Sequence, residues 1–310
     1  MTTVSSSGGV SIIISGARGP KGDQGEASGP LVASSVGEDE INATEGAGIR
    51  DKIGAVGLQD VNMLLPPSQP ITIIAHRGFA RQYPQNTTLA FTGAAQSGAD
   101  ALETDLSVSS DGELYCFHDA TVDARTDGTG TFTALSSATI DGLVFDATVG
   151  TAYANLRIPK FSAFLQIARR FGLYAYPEIK NYRTQADIDL IIAAIEAEGM
   201  ESQCTLSSFS FSDLDYVRAA NSEIGVMFQS SNIAAAPGDI DYLADYGGRT
   251  ALLMEPASMF ADFTGAASVA AYARSKNVDF ISSTIVSQTS QQVLSQCGVA
   301  KFFSDVRMVK

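Results

Sequence analysis

The sequence predicts an α/β protein, a TIM (β/α)8 barrel preceded by an N-terminal collagen-like, extended trimerisation segment. Three observations predict it. Over residues 71–310 short apolar runs alternate with amphipathic ones, as a barrel of eight βα units requires. The amphipathic runs have helical spacing and close at glycine. Upstream, in residues 16–27, glycine recurs at every third position.

Residues 16–27 form four Gly-X-Y triplets, broken at Ser28. Only glycine fits at the axis of a collagen triple helix, and Pro20 occupies an X position. Lys21, Asp23 and Glu26 can pair between chains, so the segment predicts a homotrimer. Residues 31–70 are low in aromatics and end in Pro66-Pro67-Ser68-Gln69-Pro70, a stiff boundary. The expected organisation is therefore an anchor or linker over 1–70 and a barrel domain over 71–310.

Strand candidates in the barrel domain are Thr72–Ala75, Ala101–Val108, Leu114–Phe117, Leu173–Ile179, Cys204–Ser208, Ile224–Phe228, Ala251–Met254, Asp279–Ser282 and Lys301–Ser304. Phe161, Phe164, Leu165 and Ala168 mark one buried helix face, closed by Gly172. Ile188, Ile191, Ile192 and Ile195 mark another, closed by Gly199. Ser212 to Asp215 has the form of a capping box opening the next helix. Nine strands are one too many for the barrel. Asp111-Gly112 joins the second and third by a tight turn, whereas parallel neighbours need a long crossover. The Leu114–Phe117 strand should therefore fold back antiparallel as an arm beside the barrel mouth, leaving eight.

Composition narrows the function. Asp and Glu number 34 against 20 Lys and Arg, a net charge of −14. That balance argues against non-specific nucleic-acid binding and against adhesion to an anionic membrane. An anionic substrate then needs a metal or local cations to reverse the field. No apolar run reaches transmembrane length, so no membrane insertion is expected. Met1–Gly9 lacks basic residues and Val10–Ile14 is too short for a signal-peptide core, so no signal peptide is expected. Cys116, Cys204 and Cys297 read as reduced buried thiols of a protein made in a cytoplasm.

The chemistry gathers at strand ends. The chain has two histidines, His76 and His118, each ending an apolar strand-like run, with Glu103 and Asp105 between them. Residues two apart share one face of a strand, so Glu103 pairs with Asp105 and Glu178 with Lys180. Two histidines around paired acids suit acid–base chemistry. Three convergent carboxylates, Glu103, Asp105 and Glu178, make an oxygen-rich site for one hard divalent cation, Ca2+ or Mg2+.

A specific resemblance joins these residues. His76-Arg77-Gly78, Pro84-Gln85-Asn86-Thr87, Gly98 through Asp105, Asp111-Gly112, His118-Asp119, Arg125-Thr126, Gly130 and Pro177-Glu178-Ile179-Lys180 occur in an order and spacing that resemble the glycerophosphodiester phosphodiesterase (GDPD) family. Ile158-Pro159 and Phe303-Ser304-Asp305 match more loosely. The resemblance implies a TIM-barrel, metal-dependent phosphodiesterase. It makes His76 and His118 the general acid and base, Glu103, Asp105 and Glu178 the metal ligands, and Arg77 and Lys180 the residues that steady the phosphate. Two departures stand out. Gln85 occupies a position where the family usually has glutamate, and a late-strand tryptophan is absent, with Ser282–Ile285 in its place. Tyr83, Phe79 and Phe228 are the aromatic candidates for a pocket wall.

A collagen-like stem on such a domain resembles bacteriophage tail fibres and tailspikes. The expected setting is a trimeric virion protein, docked through residues 1–70, that cleaves host teichoic acid or a phosphate-containing capsule. Two rivals stand beside it: a non-catalytic receptor-binding tip that grips a phosphorylated glycan, and a phospholipase D-like toxin. Arg125-Thr126 and the Glu178–Lys180 motif favour the glycerophosphodiesterase branch.

Overall fold

The computed structural model describes residues 3–5, 11–13, 70–145 and 155–308. The Gly-X-Y run at 16–27 and the segment up to Gln69 lie outside them, apart from two short strands. These are β1 (Thr3–Ser5) and β2 (Ser11–Ile13), which pair antiparallel. The chain divides into two units, residues 1–37 and 38–310.

In the second unit the apolar runs become strands in the expected order. They are β3 (Thr72–Ala75), β4 (Ala101–Val108), β5 (Leu114–Cys116), β6 (Tyr174–Asn181), β7 (Thr205–Ser208), β8 (Gly225–Ser230), β9 (Thr250–Met254), β10 (Asp279–Ile285) and β11 (Lys301–Ser304). All except β5 run parallel, each beside the next, and β11 pairs with β3 to close an eight-stranded barrel. The closing register sets Phe303 opposite Ile74 and Ser304 opposite Ala75.

Alternation along the strands divides the core in two. Ile74, Ala101, Tyr176, Met227, Leu253, Ile281 and Phe303 pack together inside the barrel. Their neighbours, including Ile73, Leu102, Leu206, Val226 and Leu252, face the helices. The interior is thus a packed core and the chemistry is left to the strand ends.

The helices follow in turn: α1 (Thr88–Gln96), α2 (Ser137–Gly142), α3 (Phe161–Phe171), α4 (Ala186–Ala197), α5 (Phe211–Ala220), α6 (Ala236–Asp245), α7 (Pro256–Ala261), α8 (Phe263–Ser275) and α9 (Gln288–Gln296). Helix α3 buries Phe161, Phe164, Leu165 and Ala168 and stops at Gly172, whose φ of 67° is the left-handed geometry of a helix C-terminus. Helix α4 buries the four expected isoleucines. The capping box at Ser212 does not form. Helix α5 starts at Phe211, one residue before Ser212, and Asp215 instead accepts from the hydroxyls of Tyr242 and Tyr246, at 3.0 and 2.6 Å.

Strand β5 pairs antiparallel with β4, with Leu106 opposite Cys116, as the tight turn predicts. The arm that follows has a small core of its own: Tyr115, Phe117, Val122, Phe132, Ile140, Phe145 and Ile158. Phe117 stacks on Phe132 with centroids 5.1 Å apart.

Candidate active site

Strand β3 gives way to a turn of unusual backbone. Arg77, Gly78 and Phe79 have φ of 51°, 81° and 60°, three successive left-handed residues. Non-glycine residues hold that conformation only where the surroundings enforce it. Here the Arg77 N–H donates to Glu103 Oε2 at 2.8 Å, and the Phe79 ring is buried in the core. Gly78 has no freedom to change, because a Cβ there would lie 2.6 Å from Ala90. The turn sets His76 and Arg77 at the barrel mouth.

Glu103 and Asp105 share the inward face of β4, and Asp105 lies opposite Glu178 of β6. One oxygen from each of Glu103, Asp105 and Glu178 falls within 4.8 Å of the other two. Asp105 is fully buried. Its Oδ2 accepts from Asn86 Nδ2 at 2.8 Å and lies 3.0 Å from Arg77 Nε. Its Oδ1 accepts no hydrogen bond and has the Lys180 ammonium 3.3 Å away. Lys180 also donates to Glu178 Oε1 at 2.9 Å.

Electrostatics follow from this crowding. Burial pushes the Glu103 carboxyl up to about 8; His76 opposes the shift and Asp105 adds to it. For Asp105 burial acts upward as well, but Arg77 and Lys180 outweigh it and hold the group below the usual carboxylate range. A buried carboxylate oxygen without a hydrogen bond, among two further acids, is a costly arrangement for a protein alone. It is well suited to one hard divalent cation, because all three donors are oxygen. Glu103, Asp105 and Glu178 thus form an acidic cluster able to hold such an ion.

The two histidines stand against carboxylates in the same way. His76 Nδ1 meets Asp305 Oδ1 at 2.6 Å, with Nε2 3.9 Å from Glu103 Oε2. His118 Nδ1 meets Asp119 Oδ1 at 2.7 Å, and Arg125 Nε donates to the other Asp119 oxygen at 3.2 Å. A carboxylate at Nδ1 keeps the proton there and presents Nε2 as the acid or base. Burial lowers the pKa of His76, but Glu103 and Asp305 together outweigh it and leave the imidazole above its ordinary value.

A model of the glycerophosphoryl diester phosphodiesterase family matches residues 76–305, from the first of these histidines to the aspartate that holds it. The chain belongs to that family. A glycerophosphodiester phosphodiesterase of Caldanaerobacter subterraneus subsp. tengcongensis is 31% identical over 169 residues, which cover 51% of this chain and 66% of the relative. This family member spans at most about two thirds of the length of the curated relatives it matches. An Oleispira antarctica phosphodiesterase, solved with the product sn-glycerol-3-phosphate, superposes with a TM-score of 0.68 at 23% identity, covering 80% of this chain and 96% of that one. A glycerophosphodiester phosphodiesterase from Agrobacterium tumefaciens gives 0.62 at 24% identity, over 76% and 96%. At those identities the two structures bear on the fold, and both agree with the eight-stranded barrel.

Within the family member, Glu103, Asp105, Glu178, Lys180, His76 and Arg77 meet at the barrel mouth. His118 comes to it on the arm, where the Asn181 amide donates to the carbonyl oxygen of His118 at 2.9 Å. Three residues received no role from the sequence. Asp305 orients His76, Asn181 fastens the arm to β6, and Asn86 bridges Asp105 to the Thr104 hydroxyl at 2.8 Å each. Gln85 accepts from Arg77 Nη1 at 2.8 Å, so the departure from glutamate lies directly on the arginine that the resemblance assigns to the phosphate. Of the aromatic candidates, Phe79 is core, Phe228 stacks on Phe211 at 3.8 Å between centroids, and Tyr83 lines a cavity beside the site. Thr284, in the segment where the family tends to carry tryptophan, sets its hydroxyl 3.5 Å from His76 Nδ1.

Proposed function

We propose that the barrel domain is a metal-dependent phosphoric diester hydrolase acting on glycerol- or polyol-phosphate diesters. The observation that carries this is the pair of aspartate-backed histidines placed around a three-carboxylate cluster, in a chain with no other histidine. Glu103, Asp105 and Glu178 would hold one Ca2+ or Mg2+. When bound, that ion supplies Lewis-acid stabilisation of charge on the phosphoryl oxygens.

Arg77 and Lys180 add positive charge where the diester sits and orient it. One histidine takes the proton of the attacking water as the new P–O bond forms. The other gives a proton to the alkoxide as the old P–O bond breaks, leaving a phosphomonoester and an alcohol. Asp305 and Asp119 hold each ring in the tautomer this exchange needs and stabilise it while charged.

The setting we infer is a phage tail. The Gly-X-Y run at 16–27 would trimerise the chain, residues 1–70 would dock it to the virion, and the substrate would be teichoic acid or a phosphate-containing capsule of the host. Gln85 favours one rival, a binding tip that holds a phosphorylated glycan without cutting it. Cleavage of purified teichoic acids and glycerophosphodiesters by the full chain, with and without EDTA and beside His118→Ala, separates the two. The phosphodiesterase reading expects fragments that vanish with EDTA and with the variant. Binding without fragments, unchanged by the variant, would overturn it. Sedimentation of the full chain tests the trimer.

A further inference from the structure

A second cavity, of about 360 Å3, lies beside the reacting centre. Its walls are the turn from Ala80 to Gln85 on one side and Arg125 of the arm on the other. Gln85 and Arg125 also line the narrow crevice that contains His118 and Asp119, so cavity and catalytic centre share a wall.

Its chemistry is one-sided. Acids outnumber bases 34 to 20 in the chain, yet the cavity is lined by two arginines, Arg81 and Arg125, and two amides, Gln82 and Gln85, with no carboxylate. Arg81 is exposed, and among the described residues no carboxylate pairs with it. Arg125 is partly neutralised, since its Nε rests on Asp119 at 3.2 Å, but its two terminal nitrogens remain. Gln85 spends its oxygen on Arg77 and keeps its amide hydrogens. Guanidinium groups with amide donors and no competing acid are the makings of a phosphate site.

We propose that this cavity binds the phosphate next to the scissile one, with Arg81 as its principal contact. The preferred substrate is then a chain of polyol phosphates rather than a single diester. Such a chain carries one anionic diester per repeat, so a second phosphate lies only a few bonds from the first. The inference rests on the phosphodiesterase reading and deepens it.

The test uses the full chain and two substrates: glycerophosphoglycerol, with one diester link, and a glycerol-phosphate oligomer with several. Arg81→Ala should raise KM for the oligomer roughly tenfold, with kcat unchanged, as expected for loss of a charge-assisted phosphate contact. Arg81→Glu should raise it further, and both variants should match the wild type on glycerophosphoglycerol. The wild-type preference for the oligomer should shrink as salt is added. Equal effects on both substrates, or none on either, would overturn the proposal. If the wild type cuts neither, the phosphodiesterase reading fails, and calorimetric titration of the oligomer decides the cavity alone: weaker binding by Arg81→Ala upholds it, and equal or no binding refutes it.

Discussion

His76 and His118 make the same contact, Nδ1 to an aspartate oxygen, in two unlike regions of the molecule. The partner of His76 lies 229 residues away and reaches it only because β11 closes the barrel against β3. The partner of His118 is the next residue, on an arm whose small aromatic core is separate from the barrel's. One dyad therefore depends on the global fold, and the other on a local unit that Asn181 ties to β6. Local units can open at a lower free energy than the whole protein, so the two halves of the proposed reaction have different structural security.

The largest expected effect tests their chemical equivalence. His76→Ala and His118→Ala should each lower kcat on a single diester by roughly 10^3-fold, within the range of general acid–base catalysis. The double variant should fall little further, because groups acting as a unit are not additive. Steady-state rates at saturating cation check this, and a tenfold disparity between the single variants would break the equivalence.

The next effect sharpens the structural contrast. Phe132→Ala removes the ring stacked on Phe117 in the arm, and Phe302→Ala removes a fully buried ring from β11. Each loss should cost about 3–5 kcal/mol where it acts. For Phe302 that cost appears as a lower melting temperature of the whole barrel. For Phe132 it should appear as faster hydrogen exchange confined to the arm, with activity lost while the barrel still melts near its normal temperature. If Phe132→Ala lowers global melting as far as Phe302→Ala does, the arm is not a separate unit.

Smaller again are the backing carboxylates. Asp305→Asn and Asp119→Asn keep the size of the side chain but remove the charge behind each imidazole. Roughly a 10–100-fold fall in kcat is expected for each, since the ring remains but its tautomer is no longer enforced. Asp305→Asn should also lower the pKa of His76, because Asp305 is one of the groups holding it up. An NMR titration of the His76 ring in both proteins reads that shift directly.

The same contrast explains what could be read from the chain. Asp119 follows His118 in sequence, and Asp111-Gly112 announced the antiparallel return; Gly112 has φ of 91° in that turn. Both are local signals. Asp305 closes a motif that gives it no role in sequence, because its place beside His76 depends on the register that sets Ser304 opposite Ala75. Asn181 was missed for another reason. The apolar run ends at Ile179, while β6 extends to Asn181 through polar residues that face the site. Hydrophobic periodicity marks strands where they enter the core and falls silent at the polar strand ends where barrels keep their chemistry. The capping box at Ser212 failed for a third reason, since the helix starts a residue earlier and the hydroxyls of Tyr242 in α6 and Tyr246 just after it claim Asp215.

The last prediction joins the two regions through the cation. Burial sets Glu103 near 8, so at neutral pH and without an ion it is mostly protonated, whereas Asp105 is held low and stays ionised. A cation must displace the Glu103 proton. Its apparent affinity should rise about tenfold per pH unit from pH 6 towards 8 and level off above, with close to one proton released per ion at pH 7 and almost none at pH 9. Calorimetry in buffers of different ionisation enthalpy counts those protons, and Glu103→Gln should abolish both the slope and the release. Stability carries the same sign. An unfolded glutamate titrates near 4.3, so the folded state holds the extra proton between that value and about 8. Without the ion, stability therefore falls as pH rises through that window, and saturating cation should flatten the fall. The loss should appear in the barrel's melting, since Glu103 anchors the His76 turn through the Arg77 N–H, and leave exchange in the arm unchanged. A pH-dependent loosening of the arm instead would mean that the cation organises His118 as well.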